Sequence, residues 1–336
     1  MTRLRLSVVN ETLRLAAPFR ISGYVFDTAD VIVVTLDDGD HQGRGEASGV
    51  YYLGDDVPAM RAAIEGVRGV IEQGVSRDAL RGILPAGGAR NALDAALWEL
   101  ESKQTGKPIW ALAGLDAPRP LVTTFTLGAD APATMAAGAK AFDHARSIKI
   151  KLTGELDLDI ARVTAIRAAR PDVWLGVDGN QGFRIGDLDA LVAAMVAADV
   201  SLIEQPLARG READLDGYRS PIPIAADESA LTLGDVTGLA GRFDVFNIKL
   251  DKCGGLTEGL MIAAAARDAG LGVMVGNMVC TSLGMAPGFV LGQVCDLNDL
   301  DGPIFLKQDR SPGMVYRDGT AWCSDMVWGS EAVVTA

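Results

Sequence analysis

The chain has 336 residues, 49% of them hydrophobic and 22% charged, as in a soluble globular protein large enough for one big α/β domain plus a smaller one, or for two medium domains. A net charge of -13 argues against nucleic acid or an anionic membrane surface as the main partner, while leaving room for a local basic pocket. Four widely spaced cysteines (Cys253, Cys280, Cys295, Cys323) form no CxxC pair, which argues against a disulfide framework or a zinc site.

The start, "MTRLRLSVVN", has no apolar signal core, and no stretch is apolar enough to span a bilayer, so the expected location is cytoplasmic. Next come two alternating runs, "LRLSVV" and "DVIVVTL", and a Gly/Asp-rich turn, "DDGDHQGRGEA", that leads back into a strand. From about residue 57 the period becomes helical in "VPAMRAAIEGVRGVIEQG" and "ARNALDAALWELESKQTG", the second closed by a glycine. Strands followed by helices predict an α+β domain over residues 1–118.

From "LVTTFTLG" onward short apolar runs recur: "IKIKL", "WLGVD", "VSLIE", "PIPIAAD", "DVFNIKL", "LGVMVGN" and "FVLGQVCDL". Ala-rich helical stretches such as "DIARVTAIRAAR" and "LTEGLMIAAAARDAG" separate most of them, at a spacing of roughly 25 residues. Eight strand candidates predict a (β/α)8 TIM barrel over residues 119–304, with "FVLGQVCDL" the least regular of them. Residues 305–336 leave no room for another unit and are expected to pack back on the first domain.

In such a barrel the active site lies at the C-terminal ends of the strands. In "SIKIKL", alternation turns Lys149 and Lys151 to one face together. Later runs end in Asp178 (with Asn180 two on), Glu204, Asp227 and Lys249, and the eighth leads into "DLNDLDGP" with Asp299 and Asp301. A single Asp after a strand is commonly a helix cap. Three acids at three successive strand ends converge, and without a cation they would raise each other's pKa values. A hard divalent ion, Mg²⁺, one per subunit, resolves that conflict; with only His41 and His144 in the chain, histidine ligands are not expected. Lys151 and Lys249 would then face each other across the metal site. A lysine base has to be neutral, and a neighbouring ammonium, here Lys149, and a nearby cation favour that form. Two opposed bases suit proton removal on one face and return on the other. Lys252 reads as solvated one turn beyond the strand, and alternation points Glu228 away from the metal.

Together "GRGEA", "KIK", "VDGN", "IEQP", "ADES" and "NIKLDKCGG" resemble the enolase superfamily along nearly the whole chain. A Lys ending strand six, with no His near strand seven, is similar to its muconate-lactonizing branch. The resemblance implies a modified barrel with an N-terminal capping domain, completed by the C-terminal segment, and Mg²⁺ stabilising an ene-diolate beside a lysine base. Within that branch "DLDGP" resembles the Asp-x-Asp motif of dipeptide epimerases, and "GNMVCTSLGM" their strand-seven loop. The implied activity is Mg²⁺-dependent epimerisation of the C-terminal residue of a dipeptide such as L-Ala-D/L-Glu. Asp178, Glu204 and Asp227 would hold the metal, Lys151 and Lys249 would move the proton, Lys149 would contact the substrate carboxylate, and Asp299 or Asp301 would take the N-terminal ammonium.

Thr124 and Thr126 on strand one, and Cys280, Thr281 and Ser282 after strand seven, are candidate hydrogen-bonding residues, with a structural role the competing reading. In "FRISGYVF", Arg20 and Tyr24 are the candidates for the side-chain subsite, with Tyr51 and Tyr52 as lid residues. The same metal and lysine set would also serve a muconate cycloisomerase, an o-succinylbenzoate synthase or an N-acylamino acid racemase. Other classes left open are a catalytically silent metal-binding barrel and a Schiff-base aldolase-like barrel. The expected partner is a small molecule, with homo-oligomerisation the weaker expectation.

Overall fold

A computed structural model describes residues 3–21 and 24–330. Its first sheet is antiparallel in the order β1 (Arg5–Ile21), β2 (Tyr24–Asp37), β3 (Gln42–Ala47). β1 runs far beyond "LRLSVV", because pairing with β2 resumes after a register shift between Arg14 and Phe19. Three helices follow. α1 (Val57–Glu72) is capped by Asp56, which accepts the N–H of Ala59 at 2.9 Å, and it buries Val57, Met60, Ile64 and Ile71. α2 (Arg77–Ile83) is capped by Ser76, and α3 (Gly88–Thr105) is buried on nearly every side.

α3 seats this cap on the rest of the molecule. Ala92, Leu93 and Ala96 join the core of the cap, whereas Ala95 and Trp98 join the larger second core. Within the cap, the glycines of "GRGEA" let α3 lie close on β3, since a Cβ on Gly43 or Gly45 would strike the backbone carbonyls of Ala96 and Ala92.

After the short α4 (Ile109–Leu112) and β4 (Leu121–Val122) come eight parallel strands: β5 (Thr124–Leu127), β6 (Ser147–Lys151), β7 (Trp174–Asp178), β8 (Leu202–Glu204), β9 (Ile224–Ala226), β10 (Val245–Ile248), β11 (Gly272–Val275) and β12 (Leu297–Asn298). They pair in chain order, with helices α5 (Pro132–Ala141), α6 (Leu156–Ala169), α7 (Ile185–Ala197), α8 (Val236–Leu239), α9 (Leu250–Cys253), α10 (Leu256–Asp268) and α11 (Ser282–Gly292) between and around them. The run "FVLGQVCDL" is not the eighth strand: "FVLG" closes α11, and the strand is the two-residue β12. A continuous apolar run suits a helix buried on all sides as well as a buried strand, so periodicity could not separate the two.

β5 and β12 stand at the two ends of the ladder, and side chains bridge the seam between them. Thr123 Oγ1 accepts the N–H of Leu300 at 2.9 Å, Thr124 Oγ1 donates to Asp299, and the N–H of Thr126 donates to Asp301 Oδ2 at 2.7 Å. Strand alternation divides the barrel core in two. Ile148, Ile150, Leu175, Val177, Ile203, Phe246, Ile248 and Val275 pack outward under the helices. Inside, Leu202, Ala225, Val245 and Met274, with Trp174 and Leu297, form a small apolar plug.

β14 (Thr320–Trp322) pairs with β13 (Val315–Arg317) on one side and β4 on the other. Around them the C-terminal segment returns to the cap. Arg310 bonds Glu46 and Glu11, Trp328 Nε1 donates to Arg44 O, and the N–H of Gly329 reaches Glu99. All four cysteines are buried and free, and no helix among the described residues is long and apolar enough to cross a membrane.

Candidate active site

The inner plug explains the polar layer above it. Stepping two or four residues along each strand from Trp174, Leu202, Ala225, Val245 and Leu297 keeps the same inward parity and arrives at Asp178, Glu204, Asp227, Lys249 and Asp299. The carboxylates of Asp178, Glu204 and Asp227 offer oxygens within 4.8 Å of one another, and each residue is at most 1% exposed. Four ammonium groups hold this cluster. Lys151 Nζ donates to Asp178 Oδ2 at 2.6 Å, and Lys249 Nζ donates to Asp227 Oδ2 at 2.7 Å. Lys149 Nζ lies 2.8 Å from both Glu204 Oε2 and Asp299 Oδ2, and 3.4 Å from Asp178 Oδ2.

The fourth is Lys252, and it is not solvated. The chain coils into the one-turn α9 straight after Lys249, which folds Lys252 back beneath the site. Its ammonium donates to Asp227 O and Oδ1, both at 2.6 Å, and to Asn247 O at 3.1 Å. Glu228 also departs from alternation. β9 ends at Ala226 and the chain turns at 227–229, so Glu228 lines the same cavity as Asp227, with Oε2 buried and unpartnered. Asn180 links the two acids: its N–H donates to Asp178 Oδ1 at 2.9 Å and its Nδ2 to Glu228 Oε1 at 3.3 Å.

Charges in this layer oppose each other as burial and pairing dictate. Burial pushes Asp227 up, but Lys249, Lys252 and Lys149 hold it well below the usual carboxylate range. Asp178 is likewise lowered, against burial, by Lys151 and Lys149. Burial and the Asp178 charge push Glu204 up. Burial works against the Lys149 ammonium, yet Asp299, Glu204 and Asp178 keep its pKa well above that of a free lysine. Lys149 therefore reaches Lys151 as a charge already paired with carboxylates, not as the bare neighbour that "SIKIKL" suggests.

Two residues beyond the expected set build the site. Gln205 Oε1 accepts the N–H groups of Asp227 and Ser229, and Asn247 Nδ2 donates to Glu204 Oε1 at 2.9 Å. Asn247 shares the inward parity of Lys249 two residues later, the signal already used for Lys149 and Lys151.

A cavity of ≈ 520 Å³ opens above the acids, with Lys151, Lys249, Asp227, Glu228 and Asn180 at its floor and Tyr51 and Tyr52 of the cap among its walls. Cap and barrel are pinned around it: the N–H groups of Ser48 and Gly49 reach Asp251 Oδ1, and Ser48 Oγ donates to Val279 O. Several expected binding residues are elsewhere. Cys280 packs in the barrel core, Thr281 bonds Glu46, and Ser282 bonds Asp309, because the chain enters α11 there and these residues serve its start. Arg20 is turned to Asp130 at 3.9 Å, and Tyr24 stands at the rim, half-exposed and stacked on Phe26. Asp299, Asp301, Thr124 and Thr126 are joined in the barrel seam, and like Asp178, Glu204 and Lys149 they are not part of the cavity lining.

A buried cluster of hard oxygen donors under an open cavity fits a small divalent cation such as Mg²⁺. Asn180 Oδ1 and Glu228 Oε2, buried beside it without partners, add oxygen acceptors of the same kind.

Known proteins resemble this chain in sequence and in fold. Residues 132–319 match the "Enolase C-terminal domain-like" family, and residues 3–114 match the "Mandelate racemase / muconate lactonizing enzyme, N-terminal domain" family. The chain is 37% identical over 314 residues to the L-Ala-D/L-Glu epimerase of Escherichia coli, covering 93% of this chain and 97% of that one. It is 42% identical over 236 residues to an N-acetyl-D-glutamate racemase of Pseudoalteromonas, covering 70% and 74%. A structure of an Agrobacterium tumefaciens enolase-family protein with homology to dipeptide epimerases, holding sodium and L-Ala-L-Glu, superimposes with a TM-score of 0.93 at 37% identity, covering 97% and 100%. A Methylococcus capsulatus dipeptide epimerase complexed with Mg and L-Arg-D-Lys gives 0.90 at 29% identity, covering 96% and 98%. The chain belongs to the enolase superfamily, within its mandelate racemase and muconate lactonizing enzyme group, and is an isomerase.

Proposed function

We propose that the protein epimerises the C-terminal α-carbon of a dipeptide by Mg²⁺-dependent 1,1-proton transfer. The observation that carries this reading is the placement of Lys151 and Lys249. They enter one cavity from β6 and from the end of β10, and each is held by a different acid of the cluster, Asp178 and Asp227. Two bases on opposite sides of a carbon are what inversion requires, since one removes the proton and the other returns it to the far face.

Asp178, Glu204 and Asp227 would hold the ion, and a bound divalent cation supplies Lewis acidity to a substrate carboxylate. As the α-proton leaves, charge moves onto that carboxylate as an ene-diolate, and the Lys149 ammonium, fixed among Glu204, Asp299 and Asp178, stands ready to stabilise it. Asp227 and Asp178 orient the two lysines, and Lys252 and Gln205 fix Asp227. Asp299 or Asp301 would receive the N-terminal ammonium of the dipeptide.

A second reading has one observation in its favour. Asp299 is already engaged by Lys149 and Thr124, and Asp301 by the N–H of Thr126, which suits an N-acylamino acid with no ammonium to bind. Dipeptides and N-acylamino acids incubated with Mg²⁺ in D₂O separate the two. Deuterium at the α-carbon of dipeptides supports the first reading, deuterium only in N-acyl substrates replaces it with the second, and deuterium in neither removes proton abstraction altogether.

A further inference from the structure

We infer that the subsite for the side chain of the inverted residue is apolar and aromatic and disfavours an acidic side chain; this rests on the racemase or epimerase reading of the same cavity. The cavity has two chemically different ends. Its floor carries the lysines and acids, which the substrate carboxylate and α-carbon must face. Its opposite walls are formed by Leu15, Phe19, Phe26 and Tyr51 from the cap, and by Met278 and Val279 after β11. Alternation along β2 sends Phe26, Thr28 and Asp30 to this one face, and Phe26 is paired with Phe19 across the hairpin. The aromatic rings form a connected wall: Phe26 and Tyr51 meet edge to face at 5.3 Å, and Tyr51 meets Tyr52 at 5.2 Å.

Charge points the same way. Among the described residues, the cations lining the cavity are Lys151 and Lys249, and both are paired at the floor. The other charged residues of the lining are acids. Asp30 accepts from Thr12, Asp55 from the N–H of Gly88, and Asp56 from the N–H of Ala59, so none of these three brings a cation with it. Arg20, the nearby arginine of the β1–β2 hairpin, is turned out to Asp130. A glutamate side chain in this pocket would be desolvated beside carboxylates with no counter-charge, the costliest arrangement for a buried anion. An aliphatic or aromatic side chain would meet matching surface.

The test is a panel of L-Ala-L-Xaa dipeptides and of N-acetyl amino acids carrying the same side chains, scored with Mg²⁺ for α-deuterium exchange and for affinity by calorimetry. Expected is a kcat/KM for Phe, Leu or Met at least about tenfold above that for Glu, the discrimination that apolar pocket contacts ordinarily supply. Preference for Glu, or for Lys or Arg, overturns the inference. If nothing exchanges, the epimerase and racemase readings fail, while the affinity order still decides the subsite. Phe26→Arg should move the preference towards Glu, and Phe26→Leu should keep the apolar order. Arg20→Ala should leave the ranking unchanged, and loss of Glu turnover in that variant would show an acid subsite built on Arg20.

Discussion

The Lys252 ammonium donates to both the main-chain carbonyl and the carboxylate of Asp227, each at 2.6 Å, with no exposure of its own side chain. It ties the start of α9 to the end of β9, and so it sets where Asp227 presents its second oxygen to Lys249.

Removing that tie leaves a buried carboxylate with one cation fewer. Lys252→Met should lower the unfolding free energy of the chelator-treated protein by about 3 kcal/mol, the usual scale for breaking a buried pair. Urea denaturation reads this directly. A change within error would mean that Lys249 alone satisfies Asp227.

The two lysines of the floor should separate by face. Lys151→Ala and Lys249→Ala should each slow epimerisation by at least about a hundredfold, the smaller end of what a positioned base contributes. Each variant should still exchange deuterium into one epimer, and the two variants into opposite epimers. Full epimerisation by either would sink the two-base scheme, and circular dichroism checks that the fold has survived.

Metal should stabilise as well as activate. Four ammonium groups now balance the acids, so binding a divalent ion must rearrange that pairing and should raise the melting temperature with Mg²⁺ concentration. The gain expected at a hundred times Kd is about 2.7 kcal/mol. Dialysis against chelator should abolish turnover, and Asp227→Asn should remove the thermal response. A melting temperature indifferent to Mg²⁺ would overturn the assignment of the triad.

Away from the site, Asp94 on α3 gives a pH dependence of definite sign. Burial pushes its carboxyl up to about 6, although it accepts from Thr257 N and Oγ1 at 3.1 and 2.5 Å. A carboxyl whose folded pKa exceeds its unfolded value of 3.8 contributes stability that is fully present below that value and lost as pH rises through about 6. Wild type should therefore lose on the order of 2–3 kcal/mol relative to Asp94→Asn between these limits. Parallel stability curves for the two proteins would show that Asp94 does not titrate there.

The candidate site was legible along each strand and for the one residue after it. Alternation alone puts Lys149 with Lys151 on the inward face, and the same count brings Asp178, Glu204, Asp227 and Lys249 to one end of the barrel. That step needs only the local backbone period and the rule that parallel strands close in order. Legibility failed one or two residues later. Glu228 follows a turn and Lys252 a one-turn helix, and in both cases the chain's new direction comes from what it packs against, not from its own periodicity.

The same divide explains the rest. Apolar rhythm determined an α+β first domain followed by repeating strand–helix units, because period is a property of the chain itself. The tertiary structure alone decided that "FVLG" is helix, that Asp299 and Asp301 hold the barrel seam, and that Thr281 and Ser282 face away from the cavity. It also decided that Arg20 reaches towards Asp130 while Phe26 meets Tyr51 in the cavity wall. A hydrogen-bonding or charged side chain has several partners within reach, and only the packed neighbours determine which one it meets.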